Sequence, residues 1–288
     1  MTRRSFRHLE RLRVRWAEVD LQKIVFNGHY LMYFDTAVAG YWRALAMPYH
    51  DTMAALQGDL YVRKATVEYL ASARYDDLLD VGMRVQRIGN SSIVFAASVF
   101  LGERALVTGE LVYVFADPAT QTSRPVPDAL RQTLQAFEDG QPMVTVRQGP
   151  ASELLAVATP IRRAGFVDEQ GIPADLESDS ADADAWHAVA FNRLGHAVGT
   201  GRLLPLGDGR AKIGRMAVLR DVRGAGVGEQ LLAALSQAAR EQGHHSVVLS
   251  AQESAVGFYR RAGFVANGEP YEEAGITHQA MSMALHPA

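Results

Sequence analysis

The feature that most constrains this chain is a change of pattern near its middle. Up to about residue 116, one amphipathic helix is followed only by β-like segments; beyond about residue 143, strands alternate with helices. Between them, Asp117–Asp128 is dense in turn formers and ends a strand. Pro127–Glu138 then spaces Leu130, Leu134 and Phe137 as a short helix, and Asp139-Gly-Gln-Pro142 precedes a β-rich restart at Met143–Val146. The break predicts two domains, 1–141 and 142–288. A length of 288 residues suits two units of roughly 100–200 residues each.

In the first half, Arg11–Glu18 alternates like a strand and Asp20–Gly28 reads as turns. His29–Leu45 reads as a helix whose buried stripe is Leu31, Phe34, Val38, Tyr41 and Leu45. Segments near Tyr61–Tyr69, Leu79–Ile88, Ile93–Leu101 and Leu106–Phe115 follow, joined by short turns typical of antiparallel strands. A long helix and a meander able to wrap it predict an α+β domain.

In the second half, Ala185–Asn192, Ala197–Leu204, Lys212–Leu219 and Ser246–Ser250 read as strands, with helices at Gly226–Gln242 and Glu253–Ala262 and a closing pair of strands. This predicts an α/β domain with a mixed sheet flanked by helices. The acidic stretch Glu177–Asp184 is low in complexity and reads as a flexible loop.

Composition narrows the function. There is no cysteine, which removes disulfides, thiolate zinc sites and cysteine nucleophiles, and no His/carboxylate spacing suggests a metal. Net charge is −3 overall, and residues 1–143 balance 16 basic against 16 acidic residues, so neither half is a basic nucleic-acid module. Six arginines (3, 4, 7, 11, 13 and 15) crowd the start, as on the solvated face of an edge strand or a phosphate patch. No apolar run is long enough to span a bilayer, and the start has no secretory pattern, so a cytoplasmic location is expected.

Chemistry in the first half concentrates between Arg15 and Asp35. Phe26, Asn27 and Gly28 stand where the helix begins, and a helix N-terminus leaves amides that can polarise a bound carbonyl. Asp20, eight residues upstream, then has the place of a general base or nucleophile, with a turn-forming role as the alternative. Glu18 is expected to point the other way, into solvent.

The run Arg15–Asp35, with Val67–Val81, Arg87–Phe95 and Gly109–Asp117, resembles the hotdog-fold acyl-CoA thioesterases of the 4-hydroxybenzoyl-CoA thioesterase kind, over about residues 8–138. The resemblance implies an antiparallel sheet wrapped on a long helix. It also implies a catalytic carboxylate at Asp20, a substrate-carbonyl region at Asn27, Gly28 and His29, and a homo-oligomer. Lys23 stands where that family usually has glycine, and Ser72 where proline is common.

In the second half, Lys212–Leu232 reads as strand, glycine turn and helix. Gly224, Gly226 and Gly228 let amides converge on an anion at the helix start, and Arg223 adds a charge-assisted contact to pyrophosphate. A dinucleotide fingerprint is disfavoured, because Glu229 takes the third glycine's place and Ser246–Ser250 ends without an acid.

Arg223, Gly226 and Gly228, with Ala255–Phe264 downstream, resemble the GNAT N-acetyltransferases over about residues 143–286. The resemblance implies acetyl-CoA as acyl donor, an amine acceptor, and Tyr259 as the acid for the departing thiolate. It also implies backbone contacts from Met216, Ala217 and Val218 to the pantetheine arm. Glu169, His187 and His278 are candidate bases or acceptor contacts. The two resemblances together imply a bifunctional acyl-CoA enzyme, hydrolysing thioester in one domain and transferring acyl groups in the other. The alternative is that one module is a CoA-binding sensor or scaffold for its neighbour.

Overall fold

The structure, a computed structural model, describes residues 1–285. The chain divides into two compact units, Met1–Met143 and Val144–Ala288.

The first unit comprises β1 (His8–Arg13), α1 (His29–Ala44), α2 (Tyr49–Ala55), β2 (Asp59–Tyr69), β3 (Leu78–Ile88), β4 (Ser92–Leu101), β5 (Arg104–Ala116) and α3 (Asp128–Glu138). The strands form an antiparallel sheet in the order β1-β3-β4-β5-β2. Helix α1 packs on it through Phe34, Tyr41 and Leu45, all fully buried. Gly109 on β5 makes room for Phe34: a Cβ there would lie 2.5 Å from the Phe34 ring. Burying such side chains contributes about 1.5–3 kcal/mol each. This is the long helix wrapped by an antiparallel sheet that the hotdog resemblance implies.

Three local expectations are corrected. The strand ends at Arg13, and Trp16–Glu18 is a 3-10 turn, closed by Glu18 accepting the Arg15 amide at 2.7 Å. Leu31 is 42% exposed; Tyr30 takes its place in the stripe because the aromatic rings of Tyr30, Tyr33 and Phe34 face the core. Helix α2, with Thr52 and Met53 buried, lies in a segment for which no element was expected.

The arginine-rich start lies along the sheet edge. The Nε groups of Arg3 and Arg11 donate to the two oxygens of buried Asp80, each at 2.8 Å. The Arg11 guanidinium beside Asp80, seconded by Arg3, holds that carboxyl below its ordinary range.

The second unit comprises β6 (Val144–Pro150), α4 (Ala151–Arg162, continued by a π-helical turn, Arg163–Asp168), α5 (Ala174–Glu177), β7 (Trp186–Asn192), β8 (Ala197–Gly207) and β9 (Arg210–Val218). After these come α6 (Val227–Glu241), β10 (Ser246–Gln252), α7 (Val256–Arg261), β11 (Val265–Ala266), β12 (Tyr271–Glu273) and β13 (Ile276–Ala284). The main sheet runs β11-β13-β10-β9-β8-β7-β6, and only β9 and β10 are parallel within it. The two long helices take opposite faces. Helix α4 packs Leu154, Ala158 and Ile161 against Val189 and Ala217. Helix α6 brings Leu231 and Val227 onto Gly199, whose neighbour Thr200 pairs with both Val189 and Ala217.

The expectation of a flexible acidic loop is overturned. Glu177 and Asp182 are buried, and they clamp Arg162, only 1% exposed. The Arg162 Nε donates to Glu177, and its two terminal nitrogens donate to Asp182 at 2.7 and 2.9 Å. Arg202 donates to Asp182 and Asp179, both at 2.7 Å, and Arg215 reaches Asp179 at 3.1 Å. Composition alone suggested solvent because the three arginine partners lie 15–36 residues away in sequence.

Removing one member of a buried ion pair strands the others, so Arg162→Met is expected to cost about 3 kcal/mol at pH 7 in urea unfolding of the full chain. Burial pushes the Asp182 carboxyl up, but Arg162 and Arg202 together hold it well below its ordinary value. Arg202 likewise lowers Asp179. Depressed carboxylates contribute stability that is present above their unfolded pKa, near 4, and is lost as pH falls below it. The unfolding midpoint should therefore drop below about pH 4, and the drop should be shallower in Arg162→Met. A cost under about 0.5 kcal/mol at pH 7 would refute the clamp.

Candidate functional site

In the first unit, Asp20 begins a tight loop closed by a bridge between Val19 and Val25. Its Oδ1 accepts the Gln22 amide at 2.7 Å, its own amide donates to the Ile24 carbonyl at 2.9 Å, and its carbonyl accepts the Lys23 amide at 2.9 Å. Lys23 has φ of 60°, the left-handed conformation that glycine adopts without strain. The loop thus keeps a glycine-type shape despite the lysine, at a cost of roughly 1–2 kcal/mol.

Gly28 caps α1, followed by His29. The His29 amide is committed to the Phe26 carbonyl at 2.9 Å, and the Asn27 carbonyl accepts the Tyr69 hydroxyl at 3.1 Å. The His29 Nδ1 is buried without a partner among the described residues, and its ring meets Phe26 edge-on. No hydrogen bond among the described residues joins Asp20 to Asn27, Gly28 or His29.

Glu18, expected in solvent, is instead only 3% exposed and sits beside this helix start. Its carbonyl accepts the Phe26 amide at 2.9 Å, and its carboxylate accepts the Tyr33 hydroxyl at 2.8 Å and the Arg15 Nε at 2.7 Å. Burial raises this carboxyl, but the Arg15 amide, Tyr33 and the Arg15 guanidinium outweigh it and keep the group ionised. The alternation argument failed because the chain turns at Trp16 and no longer follows strand periodicity.

In the second unit, β9 and β10 pair only from Arg210–Ser246 to Lys212–Val248, although both strands run on. Beyond that point lies a cavity of about 500 Å³, lined by Gly214, Arg215 and Met216 from β9 and by Ser250 and Gln252 from β10. Tyr259 of α7 also lines it. That tyrosine is 8% exposed, packed edge-on against Phe258 and Phe264, and burial pushes its hydroxyl up to about 12. Ala217 and Val218 stand on the same strand, paired to Thr200 and Gly199.

The glycine turn follows β9 through a short 3-10 turn, Arg220–Val222. Gly224 and Gly226 take φ of 86° and 79°, left-handed values that bring the chain round to the α6 start at Val227. A Cβ on Gly228 would lie 3.4 Å from the Phe258 ring, so the same turn sets how closely α6 approaches α7. Arg223 is held by both carboxylate oxygens of Glu169, at 2.6 and 2.7 Å, and by the Val218 carbonyl at 3.0 Å.

Glu169, a candidate base or acceptor contact, is here engaged through its carboxylate by Arg223, which holds it below its ordinary range. His187 is withdrawn from the acceptor side. It is buried and donates Nε2–H to the Asp182 carbonyl at 3.0 Å. His278 does line the cavity, donating Nδ1–H to the Ile276 carbonyl at 2.8 Å and stacking on Tyr271. Sequence reasoning missed Arg215, Ser250 and Glu273 on the same wall, because no local spacing marks them.

No helix among the described residues is long and apolar enough to cross a membrane. No group of three or more His, Asp or Glu side chains among them is placed to hold a metal.

Comparisons with known proteins agree with both resemblances. Residues 22–108 match the thioesterase superfamily and residues 164–285 the acetyltransferase (GNAT) domain. The chain is 37% identical over 130 residues to the uncharacterized N-acetyltransferase YjcF of Bacillus subtilis, covering 45% of this chain and 91% of that protein. Among solved structures, a putative N-acetyltransferase from Lactobacillus plantarum matches at 31% identity and a TM-score of 0.47, over 50% of this chain and all of that one. The probable thioesterase YbaW from Escherichia coli matches at 21% identity and a TM-score of 0.40, over 44% of this chain and 96% of that one. Through its C-terminal half the chain belongs to the GNAT acetyltransferase family, and a thioesterase-superfamily domain precedes that half.

Proposed function

We propose that the C-terminal unit transfers an acyl group from acyl-CoA to a small amine, while the N-terminal unit hydrolyses acyl-CoA. The observation that carries the reading is the cavity where β9 and β10 part, lined by Tyr259 and lying in the unit that carries the glycine turn. Unpaired backbone along β9 near Met216 suits an amide-bearing pantetheine arm, and the left-handed turn at Gly224–Gly226 suits pyrophosphate at the α6 start. Arg223 would contact that pyrophosphate after exchanging Glu169 for it.

In the transfer, the amine nitrogen attacks the thioester carbon, the C–S bond breaks, and an amide forms. The sulfur's negative charge meets the Tyr259 hydroxyl, and the proton lost by the amine passes to Glu273 or the His278 Nε2, both on the cavity wall. In the N-terminal unit, Asp20 would activate water or attack the acyl carbon itself, with amides near Asn27 and Gly28 polarising the carbonyl.

The exposed apolar surface beside this site, formed by Phe26, Leu31, Met32, Tyr69 and Leu70, supports a second copy of the chain as its partner. The reading that one module only senses CoA drew on Lys23; the retained left-handed loop weakens it.

The test is free-thiol release from a panel of acyl-CoA thioesters, with and without amines. Release without amine is expected from the N-terminal unit, and additional release with amide formation from the C-terminal unit. Absence of both outcomes refutes the proposal.

A further inference from the structure

The wall of the β9–β10 cavity is completed by a segment that belongs to neither strand. Below the π-helical turn the chain runs from Glu169 to Leu176, and Phe166, Gln170, Ile172 and Leu176 all line the cavity. This segment touches both of the parted strands. Gln252 Nε2 of β10 donates to Gln170 Oε1 at 2.8 Å, and an Arg215 terminal nitrogen of β9 donates to the Leu176 carbonyl at 3.1 Å. Residues 169–176 are therefore a strap laid across the split.

The two ends of the strap are held with unequal strength. At the far end Glu177 closes on Arg162, a pair whose side chains are only 6% and 2% exposed. Breaking so buried a pair is costly. At the near end Glu169 grips Arg223 through both oxygens, yet these side chains are 36% and 42% exposed. An ion pair so open to water is weak and easily exchanged. Between the ends, Gly171 turns the chain at φ of 71°. The Gly171 amide donates to the Val167 carbonyl and the Ile172 amide to the Phe166 carbonyl, both at 3.0 Å. The strap is thus anchored at one end and only latched at the other.

What the latch grips is also what a diphosphate would take. Arg223 stands immediately before the left-handed glycines that lead into the α6 start, where amides face outward for an anion. Arg220, in the turn before it, adds its charge to the field that holds Glu169. A diphosphate carries more charge than one carboxylate, and the two repel each other, so Arg223 cannot serve both.

We propose that the Glu169–Arg223 pair is a latch worked by a diphosphate ester: the ester takes Arg223, Glu169 is released, and the strap loosens from the split to admit an acceptor. This rests on the reading that acyl-CoA binds at the α6 start, and adds how occupancy there is signalled to the acceptor side. Glu169 acts through the strap and is a positioning residue. Because coupling is reciprocal, a closed strap also opposes diphosphate binding.

The experiment is hydrogen exchange on the full chain, read by mass spectrometry separately in the glycine turn (219–230) and in the strap (166–177). The probes are CoA and ADP, which carry a diphosphate, and AMP and pantetheine, which do not. CoA and ADP are expected to slow exchange in the turn. Against the usual direction of ligand protection, they should speed it in the strap by about tenfold or more. AMP and pantetheine should leave the strap unchanged. Glu169→Gln keeps the side chain's length and loses its charge, so its strap should exchange at the fast rate without ligand. The CoA concentration that half-protects the turn should fall about two- to fivefold in the same variant. A protected turn with an unchanged or slowed strap overturns the latch and leaves the CoA reading standing. Loosening by AMP or pantetheine, or unaltered CoA affinity in Glu169→Gln, has the same consequence. A turn that CoA never protects overturns the reading beneath it.

Discussion

Asp20→Asn is expected to lower amine-independent thiol release from acyl-CoA by about 10²–10⁴-fold, the range associated with loss of a positioned base. The substitution is informative because of what it keeps. Asp20 has a structural task as well, since its Oδ1 accepts the Gln22 amide and so shapes the turn between Val19 and Val25. Asparagine offers the same oxygen at the same place, so the turn survives, while the negative charge and the basic lone pair are lost. Asp20→Ala removes both and separates the two roles: a turn residue alone would make alanine harmful and asparagine harmless. Calorimetry should find CoA binding by Asp20→Asn unchanged. Full turnover by Asp20→Asn would remove Asp20 from the chemistry and shift attention to Glu18. That buried carboxylate lies beside the same helix start, although it is already engaged by Tyr33 and Arg15.

What could be read from the sequence divides along the range of the interactions. Helix α1, strands β2 to β5 and the turn into α6 rest on periodicity and glycine placement within a few residues, and they emerged close to their expected bounds. Helix α4 escaped because Pro160 interrupts its pattern, even though Leu154, Ala158 and Ile161 keep helical spacing. Glu18 and the acidic segment were misplaced for a shared reason. A carboxylate reads as solvated until its cation is known, and the arginines that bury Glu177 and Asp182 come from α4 and β8. Glu169 and Arg223 are 54 residues apart, so their pairing left no trace in local spacing. The cavity itself arises where two parallel strands cease to pair, a property of the sheet that no single segment encodes. Tyr259 could be placed on a helix from sequence, but its position on the cavity wall depends on Phe258 and Phe264 fixing the ring.

That fixed ring leads to the second large effect. Tyr259→Phe should lower kcat for acyl transfer by about 10²–10³-fold with little change in affinity for acyl-CoA, because phenylalanine fills the same buried space and lacks only the hydroxyl. Burial holds that hydroxyl protonated up to about pH 12. A thiolate of ordinary basicity takes up its proton near pH 8.5, so full transfer from Tyr259 would run uphill by roughly 5 kcal/mol. The larger contribution is therefore a hydrogen bond donated to sulfur as its charge develops, with the proton reaching the thiol from water after the C–S bond has broken. Two measurements distinguish this from full proton transfer. The wild-type pH–rate profile should show no falling limb from Tyr259 below about pH 11, because the phenol stays intact there. The loss in Tyr259→Phe should also shrink when the leaving thiol is made more acidic, since a less basic sulfur needs less stabilisation. A Tyr259→Phe variant with undiminished kcat would mean that the ring only packs between Phe258 and Phe264, and that another group on the cavity wall meets the departing sulfur.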